Sequence, residues 1–371
     1  MRPLRHLSRL RLSQFRNYAS AALDLDGRHL VLVGPNGAGK TNLLEAISLL
    51  SPGRGLRGAS FDEVAAQGSD GNWAVAVTVE TPAGPADIGT GAGPEGGRRV
   101  RINGANARTI EEMSAYLRVL WLTPAMDGLF TGPAAERRRF LDRLVTTLIP
   151  GHSSTVSDYE KAMRQRNRLL DEDADRRWLD ALEAQMASLA AAVHFARADA
   201  ITDLQALAAT EPGIDFPSAR LGLTLLFDDQ PVPDSSAALE EELRMLWANT
   251  RAIDRAAGRT LAGPHRVDLE IVHAQKNMPA ALGSTGEQKA LLIGLILAHA
   301  RLVKRTTGIA PFLLLDEIAA HLDPGRRAAL FVALDSLQTQ CFMTGTDPIL
   351  FEALRDDAQR VTVRDGRLSP P

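Results

Sequence analysis

The spacing of hydrophobic and polar positions changes along the chain and divides it. Leu7 to Phe15, Ala21 to Leu25 and His29 to Val33 read as short strands, with turns at Arg16-Asn17-Tyr18 and Asp26-Gly27. A glycine loop follows, then the helical pattern Asn42 to Leu50. Asn72 to Glu80 and Arg99 to Asn103 read as further strands, and the Gly, Pro and Ala content of Pro82 to Gly97 between them reads as a loop. From about Arg118 to Ala248 the period is helical, in long stretches such as Ala134 to Leu148, Ser157 to Leu170 and Arg176 to Ala208. Strand-like segments return near Leu221 to Phe227 and Asp268 to Val272. A helix from Glu287, a buried strand at Phe312 to Leu315 and a last strand near Val361 to Val363 follow. The expected fold class is α/β, its two pieces (1–117 and 278–371) flanking a mostly helical insertion (118–277). No internal repeat is evident.

Composition narrows the class. With 371 residues, 45% hydrophobic and 23% charged, the chain can bury a core, which excludes global disorder, and its length suggests two or three domains. A net charge of −3 gives no overall pull toward polyanions, so any nucleic-acid surface must be a local patch. The single cysteine, Cys341, excludes an internal disulfide and a cysteine-based zinc site and reads as a small core residue. Met1-Arg2-Pro3-Leu4-Arg5 lacks the apolar core of a signal peptide, and the longest apolar stretch, around Ala290 to Ala300, is too short to span a bilayer. A soluble cytoplasmic protein without a membrane partner is expected. Lysine occurs only at Lys40, Lys161, Lys276, Lys289 and Lys304, arginine supplying nearly all other positive charge, so each lysine invites a question.

One of the five sits in a phosphate-binding pattern. Gly34-Pro35-Asn36-Gly37-Ala38-Gly39-Lys40-Thr41 fits G-x-x-x-x-G-K-[ST], follows the run His29 to Val33 and opens the helical pattern that starts at Asn42. The glycines let backbone N–H groups face a phosphate, and the helix N-terminus adds favourable potential. Lys40 would reach the β- and γ-phosphates of ATP, and Thr41 would ligate Mg²⁺. Such a loop needs an acidic partner, and Phe312-Leu313-Leu314-Leu315-Asp316-Glu317 supplies a Walker B pattern. Asp316 would hold Mg²⁺ through its water shell, and Glu317 is placed to polarise the attacking water.

Gly283-Ser284-Thr285-Gly286-Glu287-Gln288-Lys289 precedes the apolar helix Ala290 to Ala300. Ser284 and Glu287 have capping-box spacing, an ordinary helix start. Beside a P-loop and Walker B, the same segment resembles the signature of ABC ATPases, whose serine and glycine backbone present an anion site to a γ-phosphate across a dimer. That resemblance implies an ATP-dependent homodimer. Asp323, after Walker B, matches the D-loop position of that family, a cross-interface role, and equally suits a helix cap before Pro324.

The stretch between Thr41 and Ser284 is far longer than a transporter ATPase needs and far shorter than the long coiled coils of chromosome-organising relatives require. Together with Phe15-Arg16-Asn17-Tyr18, Asn36 to Asn42, Ser51-Pro52-Gly53-Arg54-Gly55-Leu56-Arg57, Arg137-Arg138-Arg139-Phe140-Leu141-Asp142, Gln165-Arg166-Asn167 within Tyr159 to Leu170, Ala262 to Asp268 and Thr344-Gly345-Thr346-Asp347, it resembles the RecF family of bacterial recombination and gap-repair proteins. The resemblance covers nearly the whole chain. It implies an ABC-type P-loop ATPase head interrupted by a helical second lobe, weak ATP hydrolysis used as a switch, and an ATP-dependent dimer. It also implies binding to double-stranded and gapped DNA, with RecR and RecO as partners in loading a recombinase. Two departures bear on turnover. No glutamine stands near Leu120 and Trp121, where many ABC ATPases place a metal-sensing one, and Thr344 to Asp347 offers threonines where many have a switch histidine. Thr344 or Thr346 is the substitute expected to hydrogen-bond the attacking water, and slow turnover is expected.

For DNA, Lys161, Arg164 and Arg168 share one helical face, Arg137, Arg138 and Arg139 crowd another helix, and Arg54 and Arg57 lie in a glycine-rich loop near the nucleotide helix. Solvated or salt-bridged faces are the competing reading, with Glu160, Asp171 and Glu172 nearby. His265 and Arg266 follow Gly263-Pro264 in a loop whose role reads equally as structural or functional. Two other classes remain at this level: a transporter ATPase subunit, which needs a membrane partner, and a scaffold that holds ATP without hydrolysing it.

Overall fold

Ten residues from His6 to Phe15, buried at Leu7, Leu10, Leu12 and Phe15, form β1, which pairs antiparallel with β2 (Tyr18–Asp24) on one side and β4 (Trp73–Thr81) on the other. The computed structural model describes residues 3–93, 97–210, 216–227 and 230–370. These fall into two units: one holds the residues up to Asp127 and from Ser284 on, the other those between Gly128 and Gly283, apart from Phe216 and Pro217, which go with the first.

In the first unit, β5 (Gly84–Ala92), β6 (Arg98–Ile102) and β7 (Ala105–Asn106) extend the sheet to the order β2-β1-β4-β5-β6-β7. β5 corrects the expected loop at Pro82 to Gly97, of which residues 94–96 lie outside the described ones, as do Met1 and Arg2 of the N-terminal reading. Its alternate residues Ala86, Ile88, Thr90 and Ala92 are buried. Glycine is required at Gly91, where an added Cβ would lie 2.4 Å from the Trp73 carbonyl oxygen. At that position the glycine that suggested a loop reflects close strand packing.

The second sheet runs β15-β14-β3-β13-β12-β8, from β3 (His29–Val33), β8 (Val119–Leu122), β12 (Phe312–Leu315), β13 (Cys341–Gly345), β14 (Ala358–Arg364) and β15 (Arg367–Ser369). All its pairings are parallel except β14 with β15. Both of its faces are buried, so β3, β8, β12 and β13 are near-continuous apolar runs. Leu30, Leu32, Phe312, Leu314, Phe342 and Val361 share one core with Leu12, Val75 and Ile88 of the first sheet and with Leu43, Leu44 and Ile47 of α1 (Lys40–Ser48). Because β8 belongs to this sheet, the unit continues to Asp127, past the boundary expected at residue 118. A short α2 (Phe61–Val64) follows the first P-loop helix, and α7 (Thr285–Thr307) and α8 (Pro324–Leu337) complete the unit.

The second unit is built on α3 (Ala134–Leu148), α4 (His152–Asp171), α5 (Arg176–Thr210) and α6 (Ser236–Ala257), with a small sheet ordered β11-β10-β9 from β9 (Ala219–Leu223), β10 (Leu269–His273) and β11 (Met278–Pro279). Its core gathers Tyr159, Met186, Ala190, Leu239, Leu243 and Trp247. Within it Arg166 is fully buried, held by Glu183 at 2.8 Å, Asp254 at 2.7 Å, Thr260 at 2.9 Å and the Trp247 carbonyl at 2.9 Å. Each of the three guanidinium nitrogens thereby donates, as a buried charge requires. Among the described residues no helix is long and apolar enough to cross a membrane.

Candidate nucleotide-binding site

The glycine loop leaves the end of β3 and delivers α1. Gly37 and Gly39 take φ of 80° and 114°, which only glycine adopts readily, and Gly34 lies so near β14 that a Cβ there would come within 2.1 Å of the Val363 carbonyl oxygen. Asn36 and Gly37 at the loop's tip are exposed. The loop is braced from outside: the Tyr18 hydroxyl donates to Gly39 O at 3.0 Å, Asn17 Nδ2 to Ala38 O at 3.2 Å, and the Gly366 N–H to Ala38 O at 3.1 Å. Lys40, nearly buried, donates from Nζ to Gly34 O at 2.7 Å and Pro35 O at 2.9 Å, keeping its charge within the loop's curl. Burial pulls its ammonium below the ordinary lysine value, against the attraction of Glu317 and Asp316.

The carboxylates of the Walker B pattern meet this loop. Thr41 Oγ1 lies 2.9 Å from Asp316 Oδ1 and 3.1 Å from Oδ2, joining segments 275 residues apart. A single hydroxyl beside a single carboxylate is a hard-oxygen donor set that fits Mg²⁺, which takes one or two protein oxygens and completes its shell with water and phosphate. The described residues hold no group of three or more His, Cys, Asp or Glu able to cage a metal. Glu317 follows at φ 51°, in a left-handed turn that ends the strand direction of Asp316.

Thr344 departs from its expected role. It is fully buried on β13, its hydroxyl donates to Asp316 Oδ1 at 2.7 Å, and it accepts the Glu317 N–H at 2.9 Å. Its one proton is thus committed to a carboxylate, whereas Thr346 is exposed.

Ser284 caps α7, and both halves of its box with Glu287 are made: Ser284 N–H to Oε2 at 2.8 Å, and Glu287 N–H to Ser284 Oγ at 3.4 Å. Ser284, Thr285 and Gly286 are exposed, so the capped helix start also presents its first turn to solvent. Lys289 of the same segment is buried against Asp127 at 3.2 Å, tying α7 to the stretch after β8. Asp323 caps α8 by accepting the Arg326 N–H at 2.9 Å, and its side chain remains 59% exposed. Arg326 also reaches Gly286 O at 3.4 Å. Asn42 has both amide ends engaged, donating to Asn17 Oδ1 at 2.7 Å and accepting from Arg57 at 2.6 Å.

The basic candidates separate by what they already touch. Arg137 is partly buried and forks onto Asp268 at 2.9 and 2.6 Å, a bidentate pair that matches the guanidinium's geometry. Arg138 is half-buried and donates to Val267 O at 3.4 Å. Arg57 pairs with Glu45 at 2.7 Å, while Arg54 is exposed. On α4, Lys161, Arg164 and Arg168 are all exposed, Arg164 lying 3.6 Å from Glu160. His265 is structural, between Tyr159 Oη at 2.7 Å and Thr260 O at 3.0 Å. Sequence reasoning noted Phe15 to Tyr18 but not what it does: nothing in local spacing signals that Asn17 and Tyr18 brace a loop twenty residues on.

A glycine loop opening α1 beside a buried parallel sheet, an acidic strand end hydrogen-bonded to its threonine and a serine-capped helix in the same unit define an ATPase head of the ABC and SMC kind. The family model of the RecF/RecN/SMC N-terminal domain matches residues 6–369. The DNA replication and repair protein RecF of Mesorhizobium japonicum is 55% identical over 370 residues, covering 98% of each chain, and that of Rhizobium meliloti is 56% identical over 369 residues, again 98% of each. The chain belongs to the RecF family of DNA replication and repair proteins. A solved structure of the recombination mediator protein RecF-ATPrS in the RecFOR pathway shares its fold, with a TM-score of 0.84 at 21% identity over 100% of this chain and 98% of that one.

Proposed function

We propose that the chain is an ATP-gated DNA-binding protein of recombinational and replication-gap repair, which dimerises on ATP and resets by slow hydrolysis. The observation that carries this is the Thr41 to Asp316 contact, which brings the P-loop and Walker B strand end to one point. The backbone N–H groups of Gly34 to Gly39 and the Lys40 ammonium bind the phosphates, Lys40 exchanging loop carbonyls for phosphate oxygens. Thr41 and Asp316 would hold Mg²⁺, which would supply charge neutralisation at the phosphates. Glu317 accepts a proton from the attacking water and orients it. Ser284 and the Gly286 backbone, exposed at the start of α7, meet the γ-phosphate held by a second copy, with Asp323 at the same interface.

The relatives' names support DNA replication and repair, and the solved relative's pathway supports RecR and RecO as partners. Exposed Lys161, Arg164, Arg168 and Arg54 serve sequence-independent phosphate contacts to double-stranded and gapped DNA. The test is molar mass in solution with and without ATP and Mg²⁺, for wild type and Glu317→Gln, with a DNA duplex as a second variable. ATP-dependent doubling that persists in Glu317→Gln, with DNA preferring the dimer, is expected. A chain that stays monomeric under every condition would refute the shared site. Single-turnover phosphate release separates a switch that hydrolyses from a scaffold that only holds ATP.

A further inference from the structure

From the geometry of β13 we infer that Thr344 is a positioning residue for the Walker B carboxylates, its hydroxyl fixing Asp316 for metal binding and the Glu317 peptide for water activation. The inference rests on the nucleotide-site reading above.

The parallel register of β12 and β13 pairs Leu315 with Met343, so Thr344 follows at the level where β12 ends in Asp316 and Glu317. A threonine hydroxyl has one proton to give and lone pairs to accept with. Here the proton goes to Asp316 Oδ1 at 2.7 Å and a lone pair takes the Glu317 N–H at 2.9 Å. Both groups need it. Asp316 is mostly buried, and it also accepts from Thr41, whose hydroxyl would turn toward Mg²⁺ when the cation binds. Once Thr41 turns, Thr344 still holds the carboxylate in its rotamer. Glu317 adopts φ 51° and ψ 22°, a conformation disfavoured for side chains with a Cβ, and the bond from its N–H to Thr344 anchors that turn. The side chain is fully buried, so it acts through its neighbours. Partners that orient a metal ligand typically change metal affinity or activity by about 10- to 100-fold when removed.

The experiment compares wild type with Thr344→Val, which keeps the shape and loses the hydroxyl, and Thr344→Ser, which keeps the hydroxyl. Three quantities are measured: the Kd of a fluorescent ATP analogue in EDTA, Mn²⁺ binding by electron paramagnetic resonance with a non-hydrolysable analogue present, and kcat against KM for ATP. The valine variant is expected to bind the analogue in EDTA within about twofold of wild type, to bind Mn²⁺ about tenfold more weakly and to lose about tenfold in kcat, with KM little changed. Serine restores both to within about threefold. Thr344→Ala carries the same comparison if the valine variant does not fold. Unchanged Mn²⁺ binding and kcat in the hydroxyl-free variant would overturn the inference, as would a serine variant as impaired as valine, since packing would then be the cause. A wild-type protein that binds no analogue at all would instead overturn the nucleotide-site reading, which keeps the two failures apart.

Discussion

Arg16, in the turn between β1 and β2, grips Glu45 of the P-loop helix with both ends of its fork, Nη2 at 2.6 Å and Nε at 2.9 Å. Arg57 donates to Oε2 of the same carboxylate at 2.7 Å. Glu45 is 1% exposed, Arg16 19% and Arg57 40%, so the deeper arginine has the larger share in keeping a buried charge matched. Arg16→Ala is expected to destabilise the head by about 2–3 kcal/mol, and Arg57→Ala by about 1 kcal/mol or less. Urea denaturation of the two variants checks the order. Because the Arg16 turn also carries Asn17 and Tyr18, the alanine variant at 16 is expected to weaken nucleotide binding as well, and equal effects at both arginines would contradict this account.

The same brace makes two glycines of one loop unequal. At Gly39 a Cβ would lie 2.6 Å from Asn17 Nδ2 and 2.9 Å from Tyr18 Oη, at φ 114°, whereas at Gly37 nothing lies within 4 Å and φ is 80°. Gly37→Ala therefore meets only the backbone penalty of about 1–2 kcal/mol. Gly39→Ala adds overpacking against the bracing turn, for a total of about 3 kcal/mol, and displaces Ala38 and Lys40. Thermal melting in the absence of nucleotide should show the difference, and analogue binding should be lost at Gly39 while merely weakened at Gly37.

Local signals reached some of this architecture and not the rest. Ala134–Leu148 matches the observed α3 end to end, bounded by Pro133 and Pro150, and Phe312–Leu315 matches β12, set off by Pro311 before it and by Asp316-Glu317 after it. β8 and β13 were missed although all their residues are buried, since a four- or five-residue apolar run is ambiguous without its sheet neighbours. β5 was hidden by its glycines, of which Gly91 is demanded by close strand approach. The P-loop, Asp316 and Glu317 stand out by pattern, but Thr344 does not, because its partner lies 28 residues away and only the parallel register brings them together. The pairing of Arg137 with Asp268 is hidden for a similar reason, since Asp268 is 131 residues on.

His265 gives the second unit a dependence on pH. Burial brings its imidazole down to about 4, against the bond to the Thr260 carbonyl, with Arg266 and Arg138 adding repulsion. The Thr260 carbonyl takes the Nε2–H, so Nδ1 accepts the Tyr159 hydroxyl proton, a pairing that the neutral ring alone satisfies. The unfolded chain binds a proton at His265 near pH 6.5, and the folded chain does so only near 4. Between those values unfolding takes up a proton, so stability falls as pH drops, by an amount on the order of 3 kcal/mol. His29 and His194 are also pulled down, chiefly by burial, and add slope of the same sign in any variant. His265→Gln should consequently flatten part of the fall in unfolding free energy between pH 6.5 and 4 while lowering stability at pH 7.5, where the Tyr159 bond is lost. An identical slope in variant and wild type would show that the ring is already protonated in the folded state.

DNA contact is expected to divide the arginines by their existing partners. A phosphate competes poorly for Arg137, since leaving Asp268 would strand a carboxylate already matched at 2.6 and 2.9 Å. Arg168 and Lys161 on α4 are exposed, and the bond from Arg164 to Glu160 is a 3.6 Å surface pair of little strength, so these three give up almost nothing on meeting a phosphate. Replacing Lys161, Arg164 and Arg168 together by alanine should weaken binding to any duplex sequence alike and reduce the slope of log K against log salt by roughly one for each contact removed, with unfolding free energy unchanged within about 0.5 kcal/mol. Arg137→Ala should do the reverse, costing about 2–3 kcal/mol of stability while leaving the salt slope as it was. Affinity measured from 50 to 200 mM salt, beside urea denaturation of the same proteins, tests both halves, and a salt slope that drops for Arg137→Ala but not for the triple variant would move the DNA path from α4 to the start of α3.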